Sequence, residues 1–356
     1  MRNAPWAAVP FLAGFPLAPI VMMCVTEGGW WTFAPVLVVF VGVPILDVIG
    51  GMAESARVSP DVDVNPWFKA VTWAWVPVQL GLVAWIIAMT TRGGLEPYEQ
   101  VGAALSMGVT AGAIGITFAH ELVHRSRPFE RALGEILLAS VSYTHFAIEH
   151  VHGHHRQVGT PHDPATARLG QSFYRFLPRT LVGSVCSAWR LEVERLARRG
   201  RGAFSPGNRM LRYALTQAVI YGVVWRVYGA AGVAIFAGQA VVAFSLLEVI
   251  NYIEHYGLMR KEIAPGIYER IQPQHSWDSS YRLSNWMLIN LARHSDHHCV
   301  AAKRYQSLEL APQAPQLPAG YGAMFLLALC PPLWFRVMDP RVSAAAQPTL
   351  RASTAR

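Results

Sequence analysis

Charged residues and cysteines are both scarce in this sequence. Only 15% of the 356 residues are charged while 53% are hydrophobic, whereas a soluble domain usually carries about 25% charged residues. This balance excludes an ordinary soluble domain and indicates a membrane protein. The four cysteines are scattered without a CxxC pair, which argues against a disulfide framework and against a cysteine-ligated metal site. No cleavable leader is evident, so the N-terminal apolar stretch is expected to be an anchor.

Long apolar runs predict the fold. A helix needs about 20 apolar residues to cross the hydrocarbon core of a bilayer, and six runs approach that length, at about 3–26, 28–46, 70–91, 100–119, 211–228 and 229–250. The remainder, 120–210 and 251–339, is expected to form a water-facing helical cap within one domain, 1–339. The small and polar tail, 340–356, is expected to be disordered. The sequence thus predicts an all-α integral membrane protein with six transmembrane helices.

Some residues within these runs carry more specific expectations. Gly102, Gly108, Gly112 and Gly115 in the fourth run should let neighbouring helices approach closely. The run 129–148 is too short to span and is expected to be partly buried or interfacial. Several prolines should break the apolar stretch 310–335, leaving only a short dip into the interface.

Basic residues are distributed unevenly between the two sides that these spans would define. Residues 125–212 hold 14 lysines or arginines and residues 252–356 hold 11. With Arg2, Arg57 and Lys69, one side holds 28 of the 30. Positive charge favours the inner side of a membrane, so we expect this side and both termini to face the cytoplasm from a bacterial inner membrane. The net charge of +8 then reflects a membrane surface and not nucleic acid.

Nine histidines lie in four short groups beside the ends of predicted spans. The groups are His120 with His124, then His150, His154 and His155, then His255, and last His294, His297 and His298. Zinc takes three or four ligands, so nine would suit two ions, each with an open position. Imidazole binds iron, copper, nickel and zinc. Iron is favoured because it also performs oxygen chemistry.

The other four histidines are given no metal role. His152 and His162 are expected to be exposed in the polar cap, and His145 and His275 to be hydrogen-bonded structural residues. His150 is preferred to His152 as a ligand because its spacing from His154 is i, i+4.

Carboxylates stand beside the histidine groups. They are Glu121, Glu149, Glu254 and Asp296. Metal-bound histidines usually donate their second N–H to such groups, so we expect these four to hold the metal-bound rings in place. Spacing alone leaves a bridging carboxylate open.

The four histidine groups lie in motifs that resemble those of a known family. HELVHR, EHVHGHHR, NYIEHYGL and ARHSDHH are similar to the histidine signatures of the alkane 1-monooxygenases, membrane hydroxylases with a non-haem di-iron centre. The resemblance extends from Pro44 to Asp339 and includes Asp163–Thr166. It departs at Ala292, where the family often has glutamine, and His152 and His162 lie outside the family pattern.

The resemblance implies fold, cofactors and reaction together. It implies six transmembrane helices, with the nine histidines as ligands of two iron ions. The reaction would be O2-dependent hydroxylation of medium-chain n-alkanes to primary alcohols. Electrons would come from rubredoxin, itself reduced by rubredoxin reductase and separate from this chain, because CxxC pairs are lacking. Arg195, Arg198, Arg199 and Arg201 offer charge complementary to such an acidic protein.

The substrate would lie in a pocket between the spans that ends at the irons. Among bulky residues of the first spans, Trp30, Trp31 and Phe40 could limit its chain length.

Alternative functions stay open. An alkyl-aromatic methyl monooxygenase of the xylene type would share the motifs, and a fatty-acyl desaturase-like enzyme also uses histidine groups. From a different class, HExxH at residues 120–124 is the pattern of a membrane metalloprotease with Glu121 as general base. A metal-transport path is the plainest alternative. The protease would bind one zinc ion and leave most of the histidines unexplained.

Overall fold

Helices make up most of the structure, a computed structural model that describes residues 5–53 and 65–345. The helices are α1 (Pro5–Glu27), α2 (Gly29–Gly50), α3 (Pro66–Arg92), α4 (Pro97–Val123), α5 (Pro128–Ser140), α6 (146–157), α7 (Phe173–Ala197), α8 (Arg209–His255), α9 (Arg282–Met287), α10 (His294–Cys299), α11 (Tyr321–Ala328) and α12 (Pro331–Ala345). Two short strands, β1 (Glu262–Ala264) and β2 (Ile267–Tyr268), form an antiparallel hairpin.

Five helices in the described ranges are long and apolar enough to cross a membrane, namely α1, α2, α3, α4 and α8. Helix α8 has 47 residues, or about 70 Å of helix, which is more than twice the hydrocarbon thickness of about 30 Å. It folds back at Gly229, whose φ of 67° is readily adopted only by glycine. The rings of Tyr221 and Phe236 are 5.2 Å apart, although a straight helix would separate them by about 22 Å. The two arms of α8 are the fifth and sixth spans, so the prediction of six is confirmed.

Close packing of α4 against the second arm of α8 positions the histidine-bearing ends. A Cβ atom at Gly108 would lie 2.7 Å from the Gln239 carbonyl oxygen, and one at Gly112 would lie 2.9 Å from that of Ala243. Only glycine permits this approach, as expected for helices packed through small residues. The ends of both helices, at His120 and His255, are thereby brought side by side.

The C-terminal region differs from the sequence prediction. Helices α11 and α12 are bent by 119° relative to each other, so the proline-rich stretch is broken as expected. Helix α12 continues to Ala345, however, and the expectation of a disordered tail is wrong for residues 340–345. Trp334, Met338 and Val342 are buried at helical spacing, and this apolar face holds the helix in place. The rest of the expected tail, 346–356, lies outside the described residues.

Helix α5 is followed by a turn and then by α6, so the run 129–148 is two helices and not one. Its residues Leu137 and Leu138 are buried while Phe129 is exposed, in line with the expected partial burial.

Candidate metal centre

The nine predicted histidine ligands converge at one end of the bundle, where they form two adjoining clusters. The five-histidine cluster contains His120, His124, His150, His155 and His297, and the four-histidine cluster contains His154, His255, His294 and His298. Within each cluster the candidate ligand atoms all lie within 4.8 Å of one another. The clusters meet where the rings of His155 and His298 approach to a centroid distance of 4.5 Å.

Helix α6 serves both clusters because residues 150–154 form a π-helical turn. In an α-helix, position i+5 lies about 140° around the axis from position i, whereas the wider π turn brings it back over residue i. His155 therefore joins His150, with their Nε2 atoms 3.1 Å apart, while His154 belongs to the other cluster. The i, i+4 spacing that favoured His150 over His152 is not what groups these rings.

The site electrostatics keep most rings neutral. Burial, reinforced by neighbouring rings, holds the pKa of His124, His150, His155, His294, His297 and His298 well below the usual value. A neutral imidazole has a lone pair available for a metal ion. The buried Nε2 atoms of His120, His124 and His154 have no hydrogen-bond partner among the described residues. Such orphaned nitrogens are rare unless something binds them.

The spacing of the ring nitrogens fits coordination of metal ions. His294 Nε2 lies 3.1 Å from His255 Nε2 and 2.9 Å from His298 Nε2, and His297 Nε2 lies 3.0 Å from His155 Nε2. If each metal–nitrogen bond is about 2.1 Å long, nitrogens about 3.0 Å apart subtend an N–metal–N angle of about 90°. The nitrogens of tetrahedral ligands would be about 3.4 Å apart. These distances fit square or octahedral coordination better than tetrahedral coordination.

Asp163 orients one ring, and the sequence reasoning gave it no role. Its Oδ2 atom lies 2.9 Å from His154 Nδ1 and accepts a hydrogen bond from Thr166 Oγ1. Burial alone would lower the pKa of His154, but the Asp163 carboxylate raises it above the usual value. This contact fixes His154 so that Nε2 faces the cluster. The similarity of Asp163–Thr166 to the family segment was the signal available.

Glu254 is the predicted carboxylate that contacts a candidate ligand. Its Oε2 atom lies 3.1 Å from His294 Nε2, and its Oε1 atom accepts a hydrogen bond from the Tyr321 hydroxyl at 2.6 Å. Because His294 Nε2 also faces His255 and His298, the Glu254 carboxylate lies at the edge of the four-histidine cluster.

The other three predicted carboxylates have different surroundings. Glu121 lies between Arg125 and Arg304, at 3.5 and 3.9 Å. Asp296 pairs with Lys303 at 2.8 Å and accepts a hydrogen bond from the Glu309 backbone N–H. Both therefore fix the loop that follows α10.

Glu149 is buried behind the π turn of α6. Its Oε1 atom would lie 2.7 Å from a Cβ atom at Gly153, so a larger residue there would displace the Glu149 carboxylate. Burial, and then the nearby Asp163 carboxylate, raise the pKa of Glu149 to about 8.

The four histidines without a predicted metal role lie outside both clusters. His162 is exposed and His152 is half-buried. His145 packs on the Tyr143 ring at 4.3 Å, and His275 Nε2 lies 3.2 Å from Glu269 Oε1.

An apolar cavity leads from the bundle interior to the histidines. The space between the protein atoms there is about 890 Å³, a volume that includes the part of the cavity open to its surroundings. Its wall includes Val39 and Phe40 of α2, Ile114 of α4, Leu246 of α8 and Phe325 of α11, and it ends at His120, His150 and His294. One cavity therefore reaches both clusters.

All three π turns in the described residues contribute to this cavity wall. They are Val38–Gly42, Ala111–Gly115 and His150–His154. Such turns widen a helix locally and are frequent at functional sites.

Comparisons with known proteins agree with this arrangement. A family model described as fatty acid desaturase matches residues 99–328, a range that holds all nine histidines, so the chain is in the class of the fatty acid desaturases. Alkane 1-monooxygenase 2 of Pseudomonas aeruginosa is 44% identical over 88% of this chain and 85% of its own length. The alkane 1-monooxygenase of Ectopseudomonas oleovorans is 39% identical over 95% of this chain and 83% of its own length. The xylene/toluene monooxygenase hydroxylase component of Pseudomonas putida is 29% identical over 90% and 86%. The chain belongs to the alkane 1-monooxygenase family.

Proposed function

We propose that this protein hydroxylates the terminal carbon of medium-chain n-alkanes, using O2 and electrons from a separate rubredoxin. The observation that carries the proposal is the apolar cavity that ends at two histidine clusters. Three relatives compared above are named as monooxygenases, two for alkanes and one for xylene or toluene. The reaction converts an alkane, O2, two electrons and two protons into a primary alcohol and water.

Two iron ions would be held by the two histidine clusters, one in each. No protein side chain can break an unactivated C–H bond, so the bound irons would supply the oxygen chemistry. The family likeness and the near-90° nitrogen arrangement support iron over tetrahedral zinc. Asp163 and Glu254 would orient the rings of the four-histidine cluster, and such outer contacts commonly change metal affinity by about 10- to 100-fold.

The cavity wall would bind the substrate and exclude water. Apolar side chains bury each methylene with a gain of about 0.8 kcal/mol, and no polar group is needed along the chain of an alkane. Besides the histidines, the polar residues of the lining are Thr117, Asn251, Glu254, Ser284 and Tyr321, so most of the wall is apolar.

Electrons would reach the site through the five-histidine cluster. His124 and His155 are its two partly exposed members, whereas the four-histidine cluster is entirely buried. The rings of His124 and His155 adjoin at a centroid distance of 4.6 Å. Exposed Arg127 follows His124 by three residues, and exposed Arg156 follows His155 by one. An acidic rubredoxin would fit this basic surface. The arrangement of basic residues supports a cytoplasmic position for this end of the bundle.

The alternative functions have less support. A protease would need Glu121 as a free general base, but this carboxylate lies between two arginines. It would also use one metal ion and leave the four-histidine cluster without a purpose. The xylene-type reaction is favoured by a relative at 29% identity, below the 35–44% of the alkane 1-monooxygenases.

The test is an oxygenase assay with the iron-loaded protein in lipid nanodiscs. Rubredoxin and rubredoxin reductase supply electrons to n-octane under ¹⁸O2. We expect 1-octanol carrying one ¹⁸O atom, lost in His154→Ala and retained in the control His152→Ala. Hydroxylation of p-xylene without octane turnover would overturn the alkane assignment in favour of the alkyl-aromatic one. A dehydrogenated fatty-acyl product without alcohol would favour the desaturase.

A further inference from the structure

Helix α7 presents an apolar face outward, although its segment is rich in arginine. The sequence predicts a water-facing cap in this region. In the structure, Tyr174 is 58% exposed, Val182 is 66% exposed and Val185 is 44% exposed. Pro178 is exposed and Trp189 is partly exposed on the same helix. A water-facing helix normally carries polar side chains on that side.

These residues form a continuous stripe. Their positions relative to Tyr174 are i, i+4, i+8, i+11 and i+15, which lie on one face of an α-helix. The native Cys186 is exposed next to the stripe. Beyond the helix, Phe204 is 80% exposed and its ring lies 5.9 Å from that of Trp189. The stripe on α7 therefore runs for about 22 Å, from Tyr174 to Trp189.

Contacts of the opposite face of α7 place the helix at the level where the spans end. The Tyr174 hydroxyl donates to the Leu329 carbonyl oxygen at the bend between α11 and α12, at 2.8 Å. Thr180 Oγ1 donates to Glu248 Oε2 at 2.8 Å. Glu192 accepts a hydrogen bond from the Arg209 backbone N–H at the start of α8. Glu248 precedes His255, the last residue of α8, by about 10 Å along the helix axis. Helix α7 therefore packs directly across the ends of the spans.

Basic residues flank the stripe. Those exposed at its sides and ends are Arg168, Arg175, Arg190, Arg198, Arg199 and Arg201. The single exposed acidic residue of α7 is Glu194. An apolar face bordered by arginines is typical of helices that lie in the plane of a membrane interface. Each basic residue near an anionic leaflet contributes about 1 kcal/mol of attraction.

We propose that α7 is an interfacial helix that binds the anionic headgroups of the leaflet next to the metal centre. The apolar stripe lies at the acyl boundary and the flanking arginines bind lipid phosphates. A second copy of this chain is a poorer occupant, because the same arginines would face each other across the contact. The proposal rests on α7 alone and does not depend on the identity of the substrate.

The buried face of α7 connects this lipid contact to the histidines. A Cβ atom at Gly153 would lie 3.1 Å from Leu191 Cδ1 and 3.2 Å from Ser187 Oγ. Both α7 side chains thus pack directly on the π turn that carries His150 and His154. Seating of α7 on the leaflet would therefore support the geometry of that turn.

The test uses a nitroxide spin label on Cys186, with Cys299 and Cys330 replaced by serine, in nanodiscs. Accessibility to O2 reports lipid, and accessibility to a water-soluble nickel chelate reports solvent. Two labelled reference variants bracket the result. Each has the same background with Cys186→Ser added. Val219→Cys lies on the exposed face of the first α8 arm, and Lys261→Cys lies on the exposed β-hairpin.

We expect the Cys186 label to prefer O2 to nickel, with a ratio nearer to Val219→Cys than to Lys261→Cys. It should move deeper when phosphatidylglycerol replaces part of the phosphatidylcholine, and Arg190→Glu with Arg198→Glu and Arg199→Glu should abolish that shift. A nickel-accessible label would overturn the proposal. So would a label closed to both reagents, which indicates a protein partner, or a depth that is the same in both lipids. Hydroxyl-radical footprinting of the unaltered protein gives an independent reading, since Tyr174 and Trp189 should be protected in nanodiscs.

Discussion

Replacement of Phe40 by alanine should shift the chain-length preference of the enzyme. Phe40 lies in the π turn of α2, and its ring stacks on that of Phe325 at 4.3 Å with an interplanar angle of 22°. Both rings line the cavity. Removal of one ring opens the wall between α2 and α11 while His120, His150 and His294 at the other end stay in place. Trp30 and Trp31, the other bulky candidates, are exposed and lie outside the cavity lining.

The size of the effect follows from the space that the ring occupies. The lost ring has six carbon atoms, and an alkyl chain that fills half of that space buries about three more methylenes. At about 0.8 kcal/mol each, the gain is about 2.4 kcal/mol. This corresponds to about a 60-fold change in relative affinity. Loss of the stacked pair also lowers stability, and Phe→Ala in a core costs about 3–5 kcal/mol, so Phe40→Leu is a milder companion variant.

The assay is competition between two n-alkanes that differ by three carbons, with the product ratio measured by gas chromatography. We expect the longer alcohol to gain by up to about 60-fold in Phe40→Ala and by less in Phe40→Leu. Leu46→Ala is the matched control, because Leu46 is 51% exposed on the same helix and does not line the cavity. An unchanged ratio in an active Phe40→Ala enzyme would refute the assignment of this cavity to the substrate.

Three further predictions follow from individual contacts. Asp163→Asn should weaken metal binding by about 10- to 100-fold in the cluster that contains His154, measured by metal titration, whereas Asp296→Asn should not. Burial alone would raise the pKa of Glu192, but hydrogen bonds from two arginines lower this pKa to about 2. The ionised Glu192 carboxylate therefore stabilises the fold fully above about pH 4.5, and this stabilisation is lost as the pH falls toward 2. Glu192→Gln should therefore lower the unfolding free energy by about 2–3 kcal/mol at pH 7, a value reduced for the partial exposure of the arginines. The difference from wild type should shrink as the pH falls below about 4.5 and close only near pH 2. Gly229→Ala should cost about 1–3 kcal/mol in the same unfolding assay because of the positive φ, and an unaffected variant would contradict the hairpin at this residue.

The lengths of the apolar runs predicted the spans, and the grouping of histidines along the sequence pointed to the nine that converge in the structure. Apolar runs of fixed length report the bilayer directly, and the boundary between the predicted runs 211–228 and 229–250 falls at Gly229. The histidine groups could be recognised because each is short, and two of the four follow directly on the predicted spans 100–119 and 229–250. Their convergence depends on close helix packing at Gly108 and Gly112, which small residues make predictable.

The division of the histidines between two clusters could not be predicted from spacing. It depends on the π turn at His150–His154, which no α-helical pattern reveals, since one extra residue per turn changes which rings share a face. The role of Asp163 was also missed, because it stands nine residues from His154 and approaches it only through the loop that follows α6. The outward apolar face of α7 was hidden by the arginines that surround it. The approach of Asp163 to His154 arises from tertiary packing and not from local sequence.

Metal analysis of the purified protein tests the central claim most directly. Mass spectrometry of the metal content, with Mössbauer spectroscopy on ⁵⁷Fe-loaded protein, should show two irons per chain in nitrogen-rich sites. His154→Ala should lose the iron of the four-histidine cluster and keep the other, while His152→Ala keeps both. One zinc ion per chain, with no iron retained after reconstitution, would contradict the account.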